Sequence, residues 1–169
     1  HGDCWMNNFL YNYNKRGTPT DIVLIDWQIS RYCSPVIDLV YFIFICTDKQ
    51  MRAKHFDELI SIYHRSLKEL LDHLGGDAMV QFPFTALLRH LKRFGKMGIL
   101  AACFAVPMLQ TKSENLPDMD VLAEKMDKMT PEEMEEMGKQ FMEMNKGETE
   151  KINLRIRDVI LDGIRFGYF

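Results

Sequence analysis

The chain has 169 residues, 47% of them hydrophobic, and a formal net charge of −3. That length and apolar share suit one globular domain with a sizeable core. The longest apolar run, MGILAACFAVPML, is 13 residues long and contains Pro107, well short of the roughly 20 that a membrane span needs. No basic stripe interleaved with aromatics is present, so nucleic acid is not an expected partner.

The first 27 residues, HGDCWMNNFLYNYNKRGTPTDIVLIDW, organise the rest. A His-Gly-Asp is followed, five residues after Asp3, by Asn8. Two runs suited to strands, Phe9 to Tyr13 and Asp21 to Asp26, flank NKRGTPT, whose Asn, Gly, Pro and Thr are turn residues. With residues 14 to 20 or so as the connection, antiparallel pairing sets Tyr13 opposite Ile22 and Phe9 opposite Asp26. Directly opposed residues lie about 4.5–5.5 Å apart, so Asn8 and Asp26 become neighbours at the open end of the hairpin, with Asp3 on the loop leading into it. Two oxygen-bearing side chains and a free carboxylate converging there suit Mg²⁺, which takes only one or two protein carboxylates beside water and phosphate.

The spacing H-x-D-x-x-x-x-N, followed by an aspartate after a short hairpin, resembles the protein-kinase catalytic loop and its metal-binding Asp. Gly in HGD and Trp in DW look more like the aminoglycoside phosphotransferases and choline kinases. HGDCWMNNFLY, VLIDWQISRY and SPVIDLVYF together resemble the ecdysteroid-kinase-like (CHK kinase-like) family of small-molecule kinases. The likeness is dense over residues 1 to 45. It is thinner in KRFGKMGILAACF and DVILDGIRFGYF, which also look similar.

The resemblance implies a role for each matched position. Asp3 would take or orient the proton of an acceptor hydroxyl. Asn8 and Asp26 would hold Mg²⁺ against the phosphates of ATP. His1 would be an architectural loop residue, and Asp38 would brace the loop by accepting backbone hydrogen bonds. Taken singly, His-Gly-Asp or Asp-Trp is a weak signal; their separation, with Asn8 between them, is what makes the pattern specific. Asn7 reads as a turn residue, and Trp5 and Trp27 as packing groups.

After Trp27, QISRYCSP reads as a loop ended by Pro35. The segment VIDLVYFIFIC is apolar nearly all round, as a buried helix is; a buried strand is the alternative, and Asp38 at its start favours helix. Over residues 52 to 74, Phe56, Leu59, Ile60, Tyr63, Leu67, Leu70, Leu71 and Leu74 fall on one helical face, which Gly75 and Gly76 terminate. His55, His64 and His73 are too widely spaced for a shared ligand and are expected on the solvent side or rim. A third helix is expected from Pro83 to Leu109, with Phe84, Leu87, Leu88, Leu91 and Phe94 inward and Arg89, Lys92, Arg93 and Lys96 on a solvated face. Gly95 and Gly98 weaken its middle unless they allow a close crossing.

From Glu114 to Glu150 there are 12 acidic and 4 basic residues, leaving a mildly basic body that suits phosphorylated ligands. The stretch from Thr111 to Glu150 holds seven of the twelve methionines. Within it, Thr130, Pro131 and Glu133 predict a capping box, with Met134, Met137, Phe141 and Met144 at helical spacing. A peripheral helix or insertion is favoured over an adaptable partner-binding surface, and residues 112–147 are expected to be the least ordered part of the chain. The last segment predicts a helix with Ile152, Ile156, Val159, Ile160 and Ile164 inward. Four cysteines, Cys4, Cys33, Cys46 and Cys103, show no CxxC pair and read as reduced thiols.

The expected fold class is mainly α with a small β-hairpin (α+β), one hairpin and four to six helices, corresponding by resemblance to the C-terminal lobe of a protein-kinase-like fold over residues 1–169. Neither a Gly-rich phosphate loop nor a strand-borne lysine is present, so an N-terminal nucleotide-binding lobe is expected in cis and these residues alone are not expected to transfer phosphate. The resemblance implies ATP and Mg²⁺ and a hydroxyl acceptor on an ecdysteroid or other apolar metabolite, while the cysteine usage and the charge and apolar patterns lead to an expected cytoplasmic location with neither nucleic acid nor membrane as partner. A choline- or aminoglycoside-type kinase is one alternative; a non-catalytic, kinase-derived binding fragment is another. The acceptor-pocket residues are not legible.

Overall fold

The computed structural model describes residues 1–110, 125, 128–144 and 147–169. It is mostly helical with a two-stranded antiparallel hairpin, β1 (Phe9–Tyr13) and β2 (Pro19–Leu24). The helices are α1 (Val36–Cys46), α2 (Lys49–His73), α3 (Ala78–Gln81), α4 (Phe84–Gln110), α5 (Pro131–Met144) and α6 (Thr149–Arg165). Among the described residues no helix is long and apolar enough to cross a membrane.

The hairpin register differs from the expected one by two residues. Phe9 faces Leu24 and Tyr11 faces Ile22, where the sequence predicted Phe9 opposite Asp26 and Tyr13 opposite Ile22. The cause is a tighter loop. Asn14 N donates to Thr18 O at 3.0 Å, and Asn14 Oδ1 accepts from the amides of Arg16 and Thr18 at 2.9 and 3.1 Å. Pairing therefore begins at Tyr13 and Pro19, with an irregularity between Asn12 and Tyr13. A slip of two preserves the face of every side chain, and the strand ends stay together: Ile25 N donates to Asn8 O at 3.0 Å.

Helix α1 is the core element. Val36, Val40 and Phe44 are fully buried, as the all-round apolar segment predicts. It packs against α4, whose Leu87, Leu91, Ile99, Ala102 and Val106 repeat at steps of three and four and above. Gly98 makes that crossing possible: a Cβ there would sit 2.8 Å from Val40 Cβ and 2.9 Å from its carbonyl oxygen. Gly95 likewise makes room for the Tyr168 ring. Of the residues expected inward on α4, Leu88 and Phe84 are exposed, and Arg89, Lys92, Arg93 and Lys96 face solvent as expected.

Helix α2 begins three residues earlier than its apolar pattern suggests, because Asp48 caps it by accepting from Met51 N at 2.7 Å. It stops at Gly75 and Gly76; Gly75 adopts φ +77°, and Gly76 N returns to Leu71 O at 2.8 Å. Its apolar face is buried only in the first half; Leu74 is 74% exposed. His64 is a correction. It is buried, bonded through Nε2 to Phe82 O at 3.0 Å and edge-on to Phe84, because α3 and the loop after it fold back over α2.

The predicted capping box on α5 is present: Glu133 N donates to Thr130 Oγ1 at 3.2 Å and Thr130 N to Glu133 Oε2 at 2.8 Å. Met134 is exposed and Met137 half-buried, while the side chains of Phe141 and Met144 lie outside the described set. The expectation of least order over residues 112–147 falls in part on residues that are also outside it.

On α6, Ile152 and Val159 are buried, but Ile160 and Ile164 are exposed, contrary to the predicted face. Asp162 and Gly163 take the inward positions instead, because a buried partner, Arg52, awaits the carboxylate. The chain then turns so that Phe166 stacks on Phe56 at 4.0 Å between ring centroids and Tyr168 meets Phe44 edge-on.

Candidate functional site

The site is built by the loop of residues 1–8, the open end of the hairpin and the first turns of α1. Asp38, in the first turn of α1, accepts the amide of Gly2 on Oδ1 and the main-chain nitrogen of His1 on Oδ2, both at 2.8 Å. The His1 ring reaches the hairpin end, its Nε2 lying 2.9 Å from Ile25 O and its Nδ1 accepting from Asp3 N at 3.3 Å. Trp27 lies against that ring, with centroids 4.6 Å apart.

Gly2 needs to be glycine. Its φ of +94° lies in the left-handed region, and a Cβ there would come within 2.9 Å of Ile29 O. The turn after the hairpin, secured by Ser30 N to Trp27 O at 3.0 Å and Ser30 Oγ to His1 O at 3.3 Å, therefore closes directly onto the loop.

Asp3 and Asn8 are brought together. Asn8 Nδ2 donates to Asp3 Oδ2 and to Asp3 O, both at 2.9 Å. Two further donors were not foreseen in the sequence. Tyr41 OH donates to Asp3 Oδ1 at 2.7 Å, and Trp5 Nε1 to Oδ2 at 3.2 Å. The signal for Tyr41 was available: it lies three residues after Asp38 on one helix, hence on the same face. Trp5 does pack against the core as expected, and its indole N–H is the polar handle that a packing assignment overlooks.

Burial and then the Asp3 bond raise the Tyr41 phenol well above its ordinary value, so it remains a donor throughout the neutral range. Cys4, within the loop, is pushed up to about 11, first by burial and then by the charge of Asp38. That favours the thiol form over the thiolate.

Asp26 stands apart from this network. It directly follows Ile25, whose amide bonds to Asn8 O, yet its own exposed side chain makes no hydrogen bond among the described residues. It holds φ +64°, the only positive φ outside glycine among those residues. Single residues in this strained region occur where surrounding structure demands them, often at functional sites.

The residues present fit a small hard cation in chemistry. Asn8 is nearly buried, and with Nδ2 spent on Asp3 its Oδ1 is left without a donor among the described residues. Asp26 offers a free carboxylate at the same end of the hairpin. No group of three or more His, Cys, Asp or Glu able to hold a metal occurs among the described residues, so any ion here would rely on few protein ligands, as Mg²⁺ does. A separate concavity of about 540 Å³ on α6, lined by Thr149, Glu150, Asn153, Leu154 and Arg157, shares no residue with the loop.

Residues 1–76 match the model of the Ecdysteroid kinase-like family. This span contains His1, Asp3, Asn8, Asp26 and Asp38 and ends where α2 is capped; it covers less than half of the chain. The later segments KRFGKMGILAACF and DVILDGIRFGYF lie beyond it. No curated protein and no solved structure matches the chain.

Proposed function

We propose that the chain carries the acceptor-activating half of an ATP-dependent small-molecule O-phosphotransferase, equivalent to the C-terminal lobe of a kinase-like fold. The observation that carries this reading is the Asp3 carboxylate, half-exposed and held by Tyr41, Trp5 and Asn8, beside an Asn8 oxygen with no donor among the described residues. The kinase-like character of the family matched by residues 1–76 supports it.

In this reading Asp3 orients the acceptor hydroxyl and receives its proton. The hydroxyl oxygen forms the new bond to the γ-phosphorus as the bond from phosphorus to the ADP oxygen breaks, and ADP leaves with that electron pair. Such transfers are loose, so positioning and charge neutralisation carry the catalysis. Asn8, through Oδ1, and Asp26, through its carboxylate, are the residues that would hold Mg²⁺, which supplies charge neutralisation at the phosphates. His1 and Asp38 fix the loop against the hairpin and α1. The acceptor proposed is an ecdysteroid-like or other apolar alcohol.

The test is transfer of labelled γ-phosphate from Mg·ATP, by the full-length protein, to a panel of steroid alcohols, choline and aminoglycosides. Transfer to a steroid alcohol that Asp3→Asn abolishes supports the reading. Transfer confined to choline or an aminoglycoside moves the acceptor class, and no Asp3-dependent transfer to any of them overturns the reading.

A further inference from the structure

Three donors on one carboxylate leave little of it open. An ionised Asp offers about four lone-pair positions, two on each oxygen. On Oδ2 both are taken, by Trp5 Nε1 at 3.2 Å and Asn8 Nδ2 at 2.9 Å. On Oδ1 one is taken, by Tyr41 OH at 2.7 Å. Among the described residues, the remaining position is on Oδ1, the oxygen that Tyr41 holds.

Tyr41 itself is set by the core. It lies on α1 between Val40 and Phe44, both fully buried, and packs against the hydrophobic cluster as a half-buried residue. Asp38, one turn earlier on the same helix, grips the backbone of His1 and Gly2. One rigid helix thus holds the loop twice, once by main chain and once by the carboxylate of Asp3.

We propose that Tyr41 is a positioning residue for Asp3: its hydroxyl fixes the carboxylate in one rotamer and leaves the open lone pair of Oδ1 as the point where an acceptor hydroxyl docks. This rests on the reading of Asp3 as the acceptor-orienting carboxylate. Removing the phenolic oxygen takes the donor from Oδ1, so the proton-accepting direction blurs, while Asn8 keeps its bond to Oδ2 and neither Asn8 nor Asp26 touches the lost hydroxyl.

The variant is Tyr41→Phe, which keeps the ring and its packing. In the full-length protein kcat is expected to fall about 10- to 100-fold, the worth of one hydrogen bond to a charged group. KM for Mg·ATP stays unchanged, and the substitution has no further effect in an Asp3→Asn background. A readout independent of turnover uses the indole N–H resonances of the two tryptophans, Trp5 and Trp27. Tyr41→Phe should shift the Trp5 indole, whose acceptor is Asp3, and leave Trp27, which donates to Leu24 O, in place. An unmoved Trp5 resonance overturns the proposal, as does an unchanged kcat in a protein whose Asp3→Asn variant is inactive. If Asp3→Asn itself retains activity, the proposed function falls, and the Trp5 resonance still decides whether Tyr41 positions the carboxylate.

Discussion

Arg52 and Asp162, 110 residues apart, form an ion pair at 2.6 Å with side chains only 1% and 3% exposed. The same guanidinium donates to Thr47 O at the end of α1 and lies 5.4 Å from the centre of the Phe44 ring. It therefore ties α1, α2 and α6 at one point. Breaking a buried pair leaves one charge uncompensated, so Arg52→Met is expected to cost about 3–5 kcal/mol, whereas replacing both with apolar residues recovers most of that. Urea denaturation of Arg52→Met and of the Arg52→Met/Asp162→Leu double variant measures this. A single variant within 1 kcal/mol of wild type, on the scale of a surface substitution, would contradict the assignment.

The α1–α4 crossing makes a prediction of opposite sign at two glycines. At Gly98 an added Cβ meets Val40 backbone at 2.9 Å, and a packed helix backbone cannot yield cheaply. Gly98→Ala is expected to destabilise by about 1–3 kcal/mol. At Gly138, inside α5, nothing among the described residues lies within 4 Å. There alanine should stabilise the helix by about 0.5–1 kcal/mol. Equal signs in the two denaturation midpoints would show that crowding does not govern the first position.

Asp26→Asn separates charge from conformation. Asparagine tolerates the φ of +64° that Asp26 adopts, and the side chain is exposed, so thermal stability should be unchanged. Under the proposed function, turnover of the full-length protein should fall by about two orders of magnitude or more, from loss of a charge that would hold Mg²⁺ at the phosphates. Turnover near wild type would remove Asp26 from the site.

Alkaline stability follows from three tyrosines. Burial is the first cause of the raised values of Tyr41, Tyr63 and Tyr168, and the bond to Asp3 adds to that of Tyr41. The folded chain keeps these phenols protonated where the unfolded chain ionises them, near pH 10 (about the unperturbed value). Their contribution is whole below that pH and is lost as pH rises through the folded values. Urea midpoints should drop between pH 9 and 11, and Tyr41→Phe should flatten the drop. In Asp3→Asn, Tyr41 should ionise at lower pH than in wild type, as followed by phenolate absorbance. Identical titration in the two proteins would argue that the Tyr41–Asp3 bond is absent in solution.

Local pattern carried much of this fold. The apolar segment at Val36 became the core helix, and Gly75 and Gly76 ended α2. Thr130 and Glu133 formed their box, and Gly98 marked a close crossing. Each is a matter of neighbours within one or two turns, where periodicity and capping act directly. The clustering of Asp3 and Asn8 was likewise legible from their spacing in one loop.

What lay beyond the sequence depended on partners far along the chain. The hairpin slipped by two residues because Asn14 closed a shorter loop, a choice that strand pattern cannot register since a period of two is blind to it. Ile160 and Ile164 lost the inward face of α6 to Asp162, which only a buried Arg52 could make favourable. His64 became a core residue because the segment after α2 folded back over it. Tyr41 reaches Asp3 through a bond across 38 residues. Composition and periodicity thus determined which segments are strand and helix and placed the loop residues side by side. Which polar groups are buried, and what holds the Asp3 carboxylate, was decided by tertiary packing, because burying a charge is favourable only when a specific distant partner meets it.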